Sequence, residues 1–238
     1  MDAREKRRNF RALVRVILRE NFWQLEVEDM INVALAPTLL DLYFPRLNQR
    51  VRAALLVVGG SLLVALMAQV SILLPFTPVP LTGQTFAVLL VGAVLGARYG
   101  ALSLLLYLVE GAVGLPVFAG GTAGLVRLFG PTGGYLVGFV AAAFVVGLLA
   151  ERGKDRRFGT AIVTFMAGEV VIYLFGLPWL AIFVGFAKTL SAGFFPFLIG
   201  DAIKVIAAAS ALPAAWKIVG FLRGFQNRWG TVFPSQEE

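Results

Sequence analysis

A carboxylate at Asp201 and an ammonium at Lys204 interrupt the otherwise uncharged run FPFLIGDAIKVIAAA at residues 195–209, and between Lys188 and Lys217 no other side chain is charged. Three positions apart on a helix, they share one face. An acid beside a base can accept from N–H groups and donate to an anion or a carbonyl, which is the chemistry of a small polar ligand. The same pair can equally serve as a structural ion bridge that holds a helix in place. Spacing alone fits both readings. The position is informative because a lone charge at the centre of a bilayer costs roughly 2.5–3.5 kcal/mol on insertion scales, so such residues face a protein interior or a wet cavity.

The surrounding chain supplies the bilayer. Of 238 residues 58% are hydrophobic and 15% charged, and mean hydropathy is +0.81, which excludes an ordinary soluble domain. Residues 53–97 hold no charge at all, enough for two spans if a turn divides them, and PFTPVP at 75–80 is that turn. Cysteine and histidine are both absent. Thiolate chemistry is thereby excluded, the commonest metal ligand and general base are missing, and no enzyme is expected. The net charge of +7 sits in the first twenty residues, in residues 151–157 and in the tail after Ala215. Those are membrane-flanking positions, so the excess reads as the positive-inside rule and not as a nucleic-acid surface. The first long apolar run begins only after Arg52 and is followed by further spans, so no cleavable signal peptide is expected.

Taken in order, residues 1–50 form a basic amino-terminal extension. Arg4, Arg7, Arg8, Arg11, Arg15 and Arg19 lie beside Phe10, Leu13, Val14, Ile17 and Leu18, a pattern for an amphipathic helix lying on an anionic leaflet or for a solvated extension. Spans are predicted at residues 53–74, 83–95, 101–113, 135–150, 158–175 and 197–219, an all-α membrane protein with six transmembrane helices. Gly59, Gly60, Ser61, Ala65 and Ala68 give the first span a small-residue face for packing inside the bundle or for a partner. A glycine-rich loop, GLPVFAGGTAGLVRLFGPTGGY, carries Arg127 as its only charge, and no phosphate-loop motif occurs in the chain. Six crossings with the basic loops inside place both termini in the cytoplasm, the glycine and proline loops outside, and Asp201 and Lys204 in the outer half of the last helix.

With these motifs placed, the chain resembles the BioY family, the biotin-specific substrate-binding (S) components of energy-coupling factor (ECF) transporters. The matching residues are PFTPVPLTGQT (75–85), LLVGAVLGARYGALSLLLYL (89–108), GLPVFAGG (114–121), GPTGGYLVGF (130–139), VIYLFGLPWL (171–180) and FPFLIGDAIK (195–204). The resemblance implies the S-component fold in a membrane domain at 51–222, between the extension at 1–50 and a cytoplasmic tail at 223–238. It implies biotin as the transported ligand, no cofactor of the chain's own, and residence in the plasma membrane. It also implies a transmembrane coupling subunit and two ATPase subunits that hydrolyse the ATP. By similarity Asp201 and Lys204 are ligand contacts. Arg127 assists at the biotin carboxylate or anchors its loop to lipid phosphate, and Gln84 completes the hydrogen bonds to the ureido ring. Tyr135, Tyr173 and Phe118 are walls, or packing residues. Glu110 and Glu169 depart from the uncharged residues expected at their positions, and their role stays open. Alternatives are an S component for another water-soluble vitamin, a solitary secondary carrier, and a metal-dependent membrane enzyme. The last would need clustered carboxylates such as DDxxD, which are missing.

Overall fold

The computed structural model describes residues 34–43 and 46–230, with backbone alone at 41, 42 and 222–230. The amphipathic pattern at residues 1–30 and the tail from 231 lie outside the described residues. A short helix α1 (Leu35–Tyr43) precedes α2 (Gln49–Gln69), whose first turn is capped by the Asn48 side chain accepting from the Arg50 amide at 2.9 Å. The small face of α2 turns inward: Gly60, Ser61, Ala65 and Ala68 are buried, and a Cβ at Gly60 would meet the Ser103 hydroxyl at 2.4 Å. Close helix approach inside the bundle, and not a free docking face, is therefore what these residues serve.

Helix α3 (Gln84–Ala112) is two helical arms that meet at a non-helical Gly96, and so cannot be straight. Twenty-nine residues would span roughly 43 Å at the helical rise, but the Gln84 amide donates to the Tyr107 hydroxyl at 2.6 Å. The chain reverses at Gly96, whose φ of 84° and ψ of 174° suit only a residue without Cβ. A Cβ on Gly100 would lie 3.0 Å from the Gly92 Cα, so the two arms, residues 84–95 and 97–112, lie back to back. They are the second and third crossings expected from the sequence, joined by one residue instead of a loop.

Next come the single 3₁₀ turn at Ala119–Gly121, the five-residue α4 (Leu125–Phe129), α5 (Gly133–Glu151) and α6 (Phe158–Val184). Helix α6 continues past the expected end at 175, with Pro178 inside it, and stops only at Gly185, where φ is 79°. A short α7 (Phe186–Gly193) leads to α8 (Leu198–Gly230). The α3 hairpin packs on α5, α5 on α6, α2 on α3, and α8 on α6. Among the described residues five helices are long and apolar enough to cross a bilayer, and counting both arms of α3 gives six crossings. A two-stranded ribbon, β1 (Ser71–Ile72) with β2 (Leu81–Thr82), holds the proline-rich turn across one end of the bundle, where Thr77 donates to the Ala192 carbonyl at 2.6 Å.

At the other end, Glu151 accepts from the Ala97 amide at 2.8 Å and so fastens the Gly96 reversal to α5. Beside it Asp155, in the loop between α5 and α6, is fully buried and accepts from the Trp216 indole at 2.5 Å, while Arg156 stacks over the same indole at 4.6 Å. Burial pushes the Asp155 carboxyl above its ordinary value, opposed by the indole hydrogen bond. A raised folded-state value makes the associated stability fully present below the ordinary carboxylate range, near 3.9, and lost as pH rises through the folded value. Asp155→Asn keeps an acceptor for Trp216 and removes the ionisation. It should therefore flatten the dependence of the melting temperature on pH above the ordinary carboxylate range and raise the melting temperature at the upper end. An unchanged profile in detergent melts would contradict this.

Candidate ligand-binding cavity

The ribbon, the glycine-rich loop and the first turns of α3, α5 and α8 surround a cavity of about 850 Å³ counted out to its open mouth. Asp201, Lys204, Arg127, Gln84, Tyr135, Tyr173 and Phe118 all line it.

The polar floor is built around Asp201, in the first turn of α8, where the helix dipole favours a negative charge. Lys204 lies one turn on, its ammonium 3.0 Å from Asp201 Oδ1 and 2.7 Å from the Thr85 hydroxyl on the first arm of α3. The Tyr173 hydroxyl, from α6, donates to Asp201 Oδ2. Three helices thus meet at one ion pair. The pair is an ion bridge, and it also lines the cavity.

The walls are aromatic. Tyr135 packs edge-on to Tyr173, with centroids 6.4 Å apart, and Tyr173 to Phe194 at 4.9 Å. The Tyr135 hydroxyl donates to the Gly193 carbonyl at 2.9 Å, so this residue is wall and brace together. Phe118 hangs from the glycine-rich loop, edge-on to Tyr107 at 5.4 Å, against Gly111, where any Cβ would strike its ring. Tyr107 also donates to the Val117 carbonyl at 3.1 Å, which ties the loop to the second arm of α3.

Gln84 lines the cavity, but its amide is committed: Nε2 donates to Tyr107, and Oε1 accepts from Thr82 at 3.2 Å. It positions the Tyr107 anchor. Arg127 lies on α4 at the mouth, exposed, and makes no ion pair among the described residues. The two acids of open role part company. Glu110 accepts from Ser61, between α3 and α2, away from the cavity lining. Glu169 is buried in the cavity wall, and neither of its carboxylate oxygens has a hydrogen-bond partner. Thr85 was a gap in the sequence reading. Its signal was adjacency to Gln84 in the run TGQT, at the start of a span.

The family model for the BioY family matches residues 37–221. The match begins fourteen residues before the resemblance seen in the sequence, so it takes in most of α1, whose Leu35 is buried and which packs against the α3 hairpin. The chain is 46% identical over 153 residues to a probable biotin transporter BioY of Pyrococcus horikoshii, covering 64% of this chain and 87% of the relative. It is also 46% identical over 137 residues to the biotin transporter BioY of Thermotoga maritima, covering 57% and 80%. The crystal structure of an S-component for biotin from an ECF-type ABC transporter superposes with a TM-score of 0.64 at 26% identity, over 71% of this chain and 93% of that one.

Proposed function

The chain belongs to the BioY family, a multi-pass membrane transport protein and not an enzyme, and from that premise we propose that it captures biotin in the cavity above Asp201 and Lys204. The observation that carries this reading is the convergence of Asp201, Lys204, Thr85 and Tyr173 in a cavity whose walls are largely apolar and aromatic. Biotin presents a neutral ureido ring with two N–H donors and a carbonyl acceptor, an apolar bicycle, and an anionic valerate carboxylate. The ureido ring is matched by the floor. Asp201 accepts from an N–H, and Lys204 donates to the carbonyl, each a charge-assisted bond about twice as strong as a neutral one. The pair is self-neutralising and so offers little net charge to an anion. The valerate therefore points to the mouth, where Arg127 carries the cation. Tyr135, Tyr173 and Phe118 enclose the bicycle, and Gln84 acts through Tyr107.

The glycine-rich loop and the ribbon face the exterior, both termini face the cytoplasm, and residues 51–222 form the ligand-binding membrane domain. A transmembrane coupling subunit and two ATPases, neither of which this chain replaces, drive the loaded protein to release biotin inside. The name and fold of the S-component relative support that partnership over a solitary carrier.

A thermal-shift panel of water-soluble vitamins on the detergent-purified protein tests the ligand. Biotin alone should raise the melting temperature, with stabilisation growing to about 2.7 kcal/mol at one hundred times its dissociation constant. A shift from another vitamin and none from biotin would overturn the assignment. Uptake of labelled biotin by cells with and without the ATPase module then separates coupled from solitary transport.

A further inference from the structure

Glu169 does nothing for the bundle that the structure reveals. It lies on α6 one turn before Tyr173, 7% exposed, with both carboxylate oxygens shielded and unpartnered, and it interacts electrostatically with Asp201 and Lys204. Burying a carboxyl group without partners is costly, and the expense persists in a fold only where something later supplies the donors. The other acceptors of the floor each already hold one donor. Asp201 Oδ1 is held by Lys204 and Oδ2 by Tyr173, while Gln84 Oε1 accepts from Thr82.

We propose that Glu169 is a specificity-determining residue of this cavity, the second acceptor for a cyclic urea, taking the N–H that Asp201 cannot reach. This rests on the ligand reading above and deepens it. In a five-membered urea ring the two N–H bonds flank the carbonyl and diverge, so no single carboxylate can accept both. Two separate acceptors are required, and the neighbouring helices α8 and α6 bring Asp201 and Glu169 to the lining of one cavity. A ligand with a single N–H, or with an ester or ether oxygen in its place, leaves Glu169 unsatisfied and is discriminated against for that reason.

The test uses the full-length protein in detergent, with Glu169→Met and Glu169→Gln, and titration calorimetry with three probes: biotin, biotin methyl ester and biotins methylated at either ureido nitrogen. Glu169→Met should bind biotin and its methyl ester at least tenfold more weakly, because the loss is at the ureido end. Glu169→Gln, which keeps an acceptor, should fall between. Methylation at the nitrogen facing Glu169 should weaken binding to the parent at least tenfold and to Glu169→Met by less than threefold. Without ligand, Glu169→Met should melt at a higher temperature than the parent, because a buried unpaired carboxyl has been removed. A structural residue would give the opposite sign, with melting and binding falling together, and that result overturns the proposal. So does a Met variant within threefold of the parent for biotin, or a methyl penalty equal in both proteins. A parent that binds no biotin would instead sink the ligand assignment itself.

Discussion

Asp201→Ala should lower biotin affinity at least a hundredfold, about 2.7 kcal/mol. The change removes more than one contact. It strips Lys204 of its counter-ion, leaving the 2.7 Å bond to Thr85, and it frees the Tyr173 hydroxyl that orients the aromatic wall. Removing one member of a buried ion pair is typically worth 3–5 kcal/mol, because the survivor stays charged and unpaired. Binding and stability therefore fall together in this variant, and Asp201→Asn separates them. The amide preserves shape and an acceptor, so its melting temperature should stay closer to the parent while the charge-assisted part of binding is lost. Calorimetric titration of both variants, after confirming monodisperse protein, is the measurement. An Asp201→Ala protein that binds biotin within tenfold of the parent would remove the floor from the proposed site.

Gly147→Val should prevent recovery of folded protein. A Cβ at this position would lie 2.3 Å from the Ala97 nitrogen and 2.4 Å from the Gly96 carbonyl carbon. Both are backbone atoms of the Gly96 reversal, so no side-chain rotation relieves the contact. Overpacking of an ordinary core costs about 1–3 kcal/mol, and here the partner backbone is itself held by the Glu151 carboxylate. The extracted variant should aggregate, or melt far below the parent. Gly59→Val is the control, since nothing lies within 4 Å of a Cβ there. Equal size-exclusion profiles for Gly147→Val and the parent would show that the α3 hairpin does not depend on this contact.

These two positions also mark what could be read from the chain. Asp201 and Lys204 were legible because a charge in an apolar run is rare enough to demand a reason, and the reason survives in the cavity floor. The six crossings were legible from hydropathy, including the break at GARYG that becomes the Gly96 reversal. Helix α6 ran longer than expected because proline after GL signals an end in water, whereas inside a bundle neighbouring groups take up the freed backbone bonds. The commitments of Gln84 and Thr85 were not legible. They depend on Tyr107 and Lys204, 23 and 119 positions away. Glu169 stood out by type, yet nothing in a linear run fixes which face of a nearly uniformly apolar helix meets the cavity.

Because Gly96 is clamped between Gly147 and Glu151, the arm carrying Gln84 and Thr85 and the arm carrying Tyr107 are tied as one unit. Any shift of the wall that moves Thr85 must therefore carry along Tyr107, and with it the glycine-rich loop moored at the Val117 carbonyl.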